Sequence, residues 1–266
     1  TSSMGIRGYA NLRIPWDTAN SELEVEVLRR WMDERWWPKS DAYVKAIVSA
    51  HVGDDRIALW DVMNEPTVTV LSLTDEGKVD EKGLRKLIDF DIQKGCNGIG
   101  VLAAIGERYL FGENDQEQIV RTAVDALGDR GPLIVGCPAM STVGAVEACK
   151  RAQDWGADAI LAFNPKYKGF DQYGFDHLVP HYTAMAEAVE IPLAPYSQLD
   201  DPIPFDVIKH LVEAGLISHM KYGPHDCATL QRIIDAVGDK LFIFAGADTF
   251  ILRHLMLGAN GISVAT

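Results

Sequence analysis

From about residue 67 onward the chain alternates between two hydrophobic periods. Short runs rich in Val, Ile, Leu and Ala occupy 68–73, 98–102, 133–137, 159–163, 191–196, 217–222, 241–245 and 261–265. Between them lie longer stretches with apolar residues on one helical face, at 81–94, 115–127, 143–155, 175–189, 205–214, 228–237 and 250–257. The short runs predict strands and the longer stretches amphipathic helices.

Strands that alternate with helices make βαβ units and a parallel sheet, because a parallel connection needs a crossover long enough to hold a helix. Eight such runs match a closed (β/α)8 barrel, the TIM-barrel architecture, better than an open doubly wound sheet. No Gly-x-Gly-x-x-Gly follows the first run, which removes the dinucleotide-binding alternative. Boundary residues agree: Asp115 stands before the second helix with Glu117 in its first turn, and Gly128 follows its end.

Two features lie outside this plan. The last residue, Thr266, falls on or just after the eighth run, so an eighth helix and C-terminal helices have no residues. Residues 1–66 form an N-terminal extension ahead of a barrel at 67–266, with helix candidates at 21–36 and 40–51 and a strand-like 57–63. An uncovered barrel strand would expose an apolar outer face at high cost. An extension helix is therefore expected to pack where the eighth barrel helix would lie.

Composition narrows the partners. A formal charge of -13 and a pI near 4.9 exclude nucleic acid, whose phosphates need a basic face. No apolar run reaches the length of a membrane span, and the first ten residues lack the layout of a signal peptide. Cys96, Cys137, Cys149 and Cys227 show no C-x-x-C spacing, and read as free thiols of the cytoplasm rather than disulfides or metal ligands.

Active sites of such barrels lie at the carboxyl ends of the strands. The sixth run ends Met220-Lys221-Tyr222. In a barrel mouth the low dielectric disfavours an ammonium, freeing an amine to attack a ketone; elsewhere a strand-end lysine is a solvated rim residue. The fourth run continues into Asn164-Pro165-Lys166-Tyr167, where a tyrosine can relay protons or simply pack on a loop. After the second run, Ala104-Ile105-Gly106 is a small turn whose backbone amides could hold a carboxylate.

Taken together, residues from about 68 to 266 resemble the dihydrodipicolinate synthase/N-acetylneuraminate lyase family of pyruvate-dependent aldolases. The likeness runs through Thr74-Asp75-Glu76-Gly77, Gly106-Glu107, Ile134-Val135-Gly136, Gly246-Ala247-Asp248 and Gly261-Ile262-Ser263. Its most specific matches are Pro165-Lys166-Tyr167 in place of the family's Pro-Tyr-Tyr and Met220-Lys221 in place of its Ile-Lys. The resemblance implies a class I lyase in which Lys221 forms a Schiff base with pyruvate or a related 2-oxo acid. It implies Tyr167 as proton relay, and Ala104, Ile105, Gly106, Tyr196 and Gly246 as substrate-binding positions. It also implies a homo-oligomer that needs no metal or organic cofactor. Two departures point away from the synthase itself: Ala104 and Ile105 replace paired hydroxyl residues, and no arginine follows Tyr196-Ser197-Gln198 to grip a distal carboxylate.

The extension resembles something else. Arg13-Ile14-Pro15 and Trp60-Asp61-Val62-Met63-Asn64-Glu65-Pro66 look like a fragment of a cellulase-type retaining glycoside hydrolase, with Glu65 as its acid/base. Retaining hydrolysis requires a second carboxylate about 5 Å away. No glutamate ends the run at 241–245, where that partner belongs. A Schiff-base lyase is thus the leading reading, with an inactive fused barrel and a Glu65 glycosidase as the alternatives.

Overall fold

The structure is a computed structural model, and it describes residues 78–103, 108, 111–138, 140–165 and 174–263. The extension, the first predicted strand and Glu65 lie outside the described residues, as do Ala104, Ile105, Gly106 and Tyr167. All described residues fall within one compact unit, Asp55–Val264.

Helix α1 (Glu81–Gln93) leads into β1 (Ile99–Val101), followed by α2 (Glu113–Leu127) and β2 (Leu133–Cys137). Then come α3 (Thr142–Trp155), β3 (Ala159–Ala162), α4 (Phe175–Glu187) and β4 (Leu193–Ser197). The series closes with α5 (Phe205–Glu213), β5 (His219–Tyr222), α6 (Cys227–Val237), β6 (Phe242–Ala245), α7 (Ile251–Leu257) and β7 (Gly261–Ile262). These seven strands form one parallel sheet in sequence order, each paired with its neighbours in the chain.

Local chemistry sets the helix ends. Asp80 Oδ1 accepts from Gly83 N at 2.9 Å and Ser141 Oγ from Gly144 N at 3.1 Å, each capping an otherwise unpaired first-turn amide. The second helix corrects the sequence reading. Gly112, not Asp115, is its N-cap, and Asp115 reaches back to accept from Gly112 N at 3.2 Å. An acid three positions into a helix can serve the cap amide as well as one at the cap itself, so residue type alone misplaced the start. Gly128 does end that helix, at φ 55°.

The sheet is curled. Gly100, Ile134, Leu161, Ala194, Lys221 and Phe244, one from each of β1 to β6, line a single cavity of about 20 Å³ together with Ser263 beyond β7. Strand residues that alternate with these face the helices. Val135, Ile160, Leu193, Met220 and Ile243 pack into one large core with α2–α6, through residues such as Val120, Cys149, Tyr182, Leu211 and Ile233. The inward cluster is small, with Ala103, Leu161 and Phe163 backed by Ile134 and Tyr196. At roughly 1.5–3 kcal/mol per fully buried Leu or Ile, the helix-facing layer supplies most of the stability. The interior is left free to hold polar chemistry. Cys96, Cys137, Cys149 and Cys227 are all free thiols. Among the described residues no helix is long and apolar enough to cross a membrane.

Candidate active site

Lys221 is buried inside the curl, only 4% exposed. Strand register puts Tyr196 on one side of it and Phe244 on the other. Its Nζ lies 4.6 Å from the centre of the Tyr196 ring, a cation–π distance. Below it His219, Phe242 and Phe244 stack into an aromatic floor, with ring centres 4.8–6.4 Å apart. Burial lowers the pKa of His219.

Gly246 lies just past the end of β6, where its amide donates to Tyr222 O at 2.8 Å. A Cβ there would sit 2.8 Å from Lys221 Cγ and 3.0 Å from Cε. The missing side chain is therefore the channel through which the lysine stem runs. Gly223 makes similar room for Tyr196, since a Cβ would stand 3.2 Å from the ring edge.

The opposite side of the mouth is built by β1 and β3. Leu102, the residue after β1, has φ 56°, a left-handed conformation unusual for a bulky residue. Its carbonyl accepts from Arg108 Nη1 at 3.2 Å, and Gly136 lies so close that a Cβ would be 2.3 Å from that oxygen. The strained residue is thus held from two sides, two positions ahead of Ala104 in the chain. The Arg108 guanidinium also lies 4.3 Å from the Phe163 ring centre, and Phe163 meets Tyr196 edge-on at 5.7 Å. Arg108, Phe163, Tyr196 and Lys221 therefore follow one another across the mouth.

The end of β3 is pinned by a buried polar network. His181 Nε2 donates to Phe163 O at 3.2 Å, and the Thr142 hydroxyl meets His181 Nδ1 at 3.0 Å. A carbonyl can only accept, so Nε2 carries the proton; burial, opposed by that bond, lowers the ring's pKa. Tyr182 Oη donates to Asn164 Oδ1 at 2.7 Å, and Asn164 Nδ2 to Asp201 O at 3.1 Å. Phe163 and Asn164, the two residues that follow β3, are thus fixed four and three positions before Tyr167 in the chain.

The structure thus brings Lys221, Tyr196 and Gly246 together, while the other site residues expected from sequence lie outside the described residues. Sequence reasoning missed Arg108 and Phe163. The one available signal for Arg108 was its place directly after Gly106-Glu107, and an arginine in a turn is ordinarily solvated.

A buried lysine at the carboxyl end of a barrel-type strand, against an aromatic face, is an arrangement suited to carbonyl chemistry on a barrel. Residues 64–266 match the dihydrodipicolinate synthetase family. The chain is 31% identical over 198 residues to the 4-hydroxy-tetrahydrodipicolinate synthase of Syntrophus aciditrophicus, across 73% of this chain and 67% of that protein. It is 32% identical over 190 residues to the synthase of Nitrosococcus oceani, across 70% and 64%. The match thus spans about two thirds of these relatives' length. Among solved structures, the pyruvate complex of dihydrodipicolinate synthase from Acinetobacter baumannii superposes with a TM-score of 0.66 at 31% identity, covering 78% of this chain and 68% of that one. N-acetylneuraminate lyase from Mycoplasma synoviae shares the fold, with a TM-score of 0.67 at 23% identity over 80% of this chain and 70% of that one. The chain belongs to the dihydrodipicolinate synthetase family, which consists of class I, pyruvate-dependent Schiff-base lyases. The comparisons lend no support to the cellulase-like reading of residues 1–66.

Proposed function

We propose that this chain is a class I lyase whose Lys221 condenses with pyruvate or a related 2-oxo acid. The observation that carries the reading is the burial of Lys221 inside the curl, against Tyr196 and in the space left by Gly246. The neutral amine attacks the C2 carbonyl to give a carbinolamine, and loss of water leaves an iminium. The iminium withdraws electrons from C3, so a C3 proton departs and the resulting enamine can add to an acceptor; cleavage runs the same steps backward. Tyr167 would move the protons, and the amides of 104–106 would hold the carboxylate beside the strained Leu102.

Incubation with pyruvate and borohydride tests this by intact mass. A reduced adduct is expected on the full chain and on Glu65→Gln, and is lost in Lys221→Ala. A folded protein that yields no adduct with any 2-oxo acid sinks the reading.

The finer architecture belongs to the same proposal. The predicted strand 68–73 would complete the (β/α)8 barrel at 67–266, with residues 1–66 as an N-terminal extension. Free thiols fit a cytoplasmic protein, and the family's habit fits a homo-oligomer, which light scattering on the full chain would measure.

A further inference from the structure

Gln198, the first residue after β4, is 9% exposed, and its Oε1 is buried with no hydrogen-bond partner among the described residues. An amide oxygen taken out of water without a partner costs folding energy. Its place in the fold says what the partner is. Side chains of β4 alternate: Leu193 enters the helix-facing core, while Ala194 lines the inner cavity and Tyr196 packs on the inward cluster. The buried Ser197 hydroxyl accepts from the amide of Ile203, itself part of the helix-facing core, at 3.0 Å. Gln198 therefore follows Ala194 and Tyr196 on the inward side.

The Gly223 amide donates to Ser197 O at 2.8 Å, which carries the β4–β5 ladder one step past Tyr222 and sets Gln198 opposite Gly223. Gln198 thus stands one inward step beyond the Tyr196–Lys221 pair, about 6.6 Å farther toward the carboxyl ends of the strands. Gly223 brings no side chain to that level. The backbone there is fixed in advance: Asp201 N donates to Gln198 O at 3.4 Å, and Asp201 O accepts from Asn164 Nδ2 at 3.1 Å. An unpaired oxygen on a fixed backbone is a preorganised recognition group.

We propose that Gln198 sets specificity for the second, aldehyde-side substrate by accepting a hydrogen bond from a hydroxyl of a neutral hydroxyaldehyde. The inference rests on the Schiff-base reading, since the partner of an enamine on Lys221 arrives from the carboxyl ends of the strands, the level Gln198 occupies. There C3 of the enamine bonds to the aldehyde carbon, the aldehyde oxygen takes up a proton, and water releases the product from Lys221 as a ketone. The buried atom accepts, so it calls for a donor. Asp200 and Asp201 follow directly, and residues 198–208 contain no Lys or Arg, so local charge opposes a second carboxylate.

The full chain is first trapped with pyruvate and borohydride. Failure to form that adduct is the failure of the Schiff-base reading, seen before any aldehyde is added, and this inference falls with it. Pyruvate consumption is then followed with glyceraldehyde, with propionaldehyde, which lacks the hydroxyls, and with succinic semialdehyde, which carries a carboxylate. Glyceraldehyde should have the highest kcat/KM. Gln198→Met, of matching length, should cut the ratio of glyceraldehyde to propionaldehyde about tenfold or more. Gln198→Glu, which keeps an acceptor at the same reach, should retain the preference. Loss of the unpaired oxygen should leave Gln198→Met melting no lower than the original, a result that a structural role would reverse. An unchanged ratio in Gln198→Met, which would assign the oxygen to a bound water alone, overturns the proposal, as does a preference for succinic semialdehyde or no consumption with glyceraldehyde.

Discussion

Gly246→Ala is the sharpest probe of the lysine channel. The added Cβ would meet Lys221 Cγ at 2.8 Å, Cε at 3.0 Å and Tyr222 O at 3.1 Å. Ordinary carbon contacts need about 3.5–4.0 Å, so the lysine stem or the backbone must move by about 1 Å. The backbone carbonyl belongs to the sheet and is held by the Gly246 amide itself, so the stem is the part that yields. Overpacking of this kind costs about 1–3 kcal/mol, partly offset by the ~0.4–1 kcal/mol an alanine gains by restricting the unfolded chain. The expected thermodynamic loss is therefore modest, about 1–2 kcal/mol. The kinetic loss is larger, because a misplacement of about 1 Å at a reacting atom can cost on the order of 100-fold. Rapid-quench borohydride trapping with saturating pyruvate would measure the rate of adduct formation, and thermal melting the stability. A variant that forms the adduct at the original rate would refute the channel.

Gly136→Ala should destabilise by about 3 kcal/mol or more, because its Cβ meets only backbone, at 2.3 Å from Leu102 O; a melting temperature within a degree or so of the original would contradict this. Burial pushes the Asp91 carboxyl from 3.8 up to about 8, and its Oδ1 has no hydrogen-bond partner. Between those values the folded chain keeps a proton that the unfolded chain has lost. Stability should therefore fall as pH rises through that window, by at most about 1.4 kcal/mol per pH unit. Asp91→Asn should flatten the slope and be the more stable form at pH 8, as chemical denaturation would show. Burial first, and then the nearby His225, lowers the His254 pKa from 6.5 to about 4. That contribution is complete above pH 6.5 and is lost as pH falls through 4, so an NMR titration midpoint above 6 would rule it out.

Much of the fold was legible because period and length are local properties. The stretch 133–137 predicts a strand and is β2 to the residue, while 205–214 and 228–237 differ from α5 and α6 by a single residue at one end. Caps were less legible. An aspartate can serve a first-turn amide from the cap position or from three residues inside the helix, and only backbone geometry puts the cap at Gly112 rather than Asp115. Lys221 stood out for being a charged residue at the end of an apolar run. Arg108 did not, since it packs on the ring of Phe163, which follows β3 and lies far along the chain.

The sequence by itself determined the alternation of strand and helix, the parallel sheet that follows from it, and the amine at the end of β5. It could not determine which way that amine points. In a strand packed on both faces, hydrophobicity does not separate the two sides, and a shift of one residue would exchange Lys221 with Met220. Tertiary structure decided it through register. Pairing of Lys221 with Tyr196 and Phe244 sends the lysine inward, while Met220 enters the helix-facing core. The close approach of Gly246 to its stem likewise exists only once β5 and β6 are side by side. Such contacts join residues far apart in the chain, so they depend on the cooperative pairing of neighbouring strands and leave little trace in any one segment.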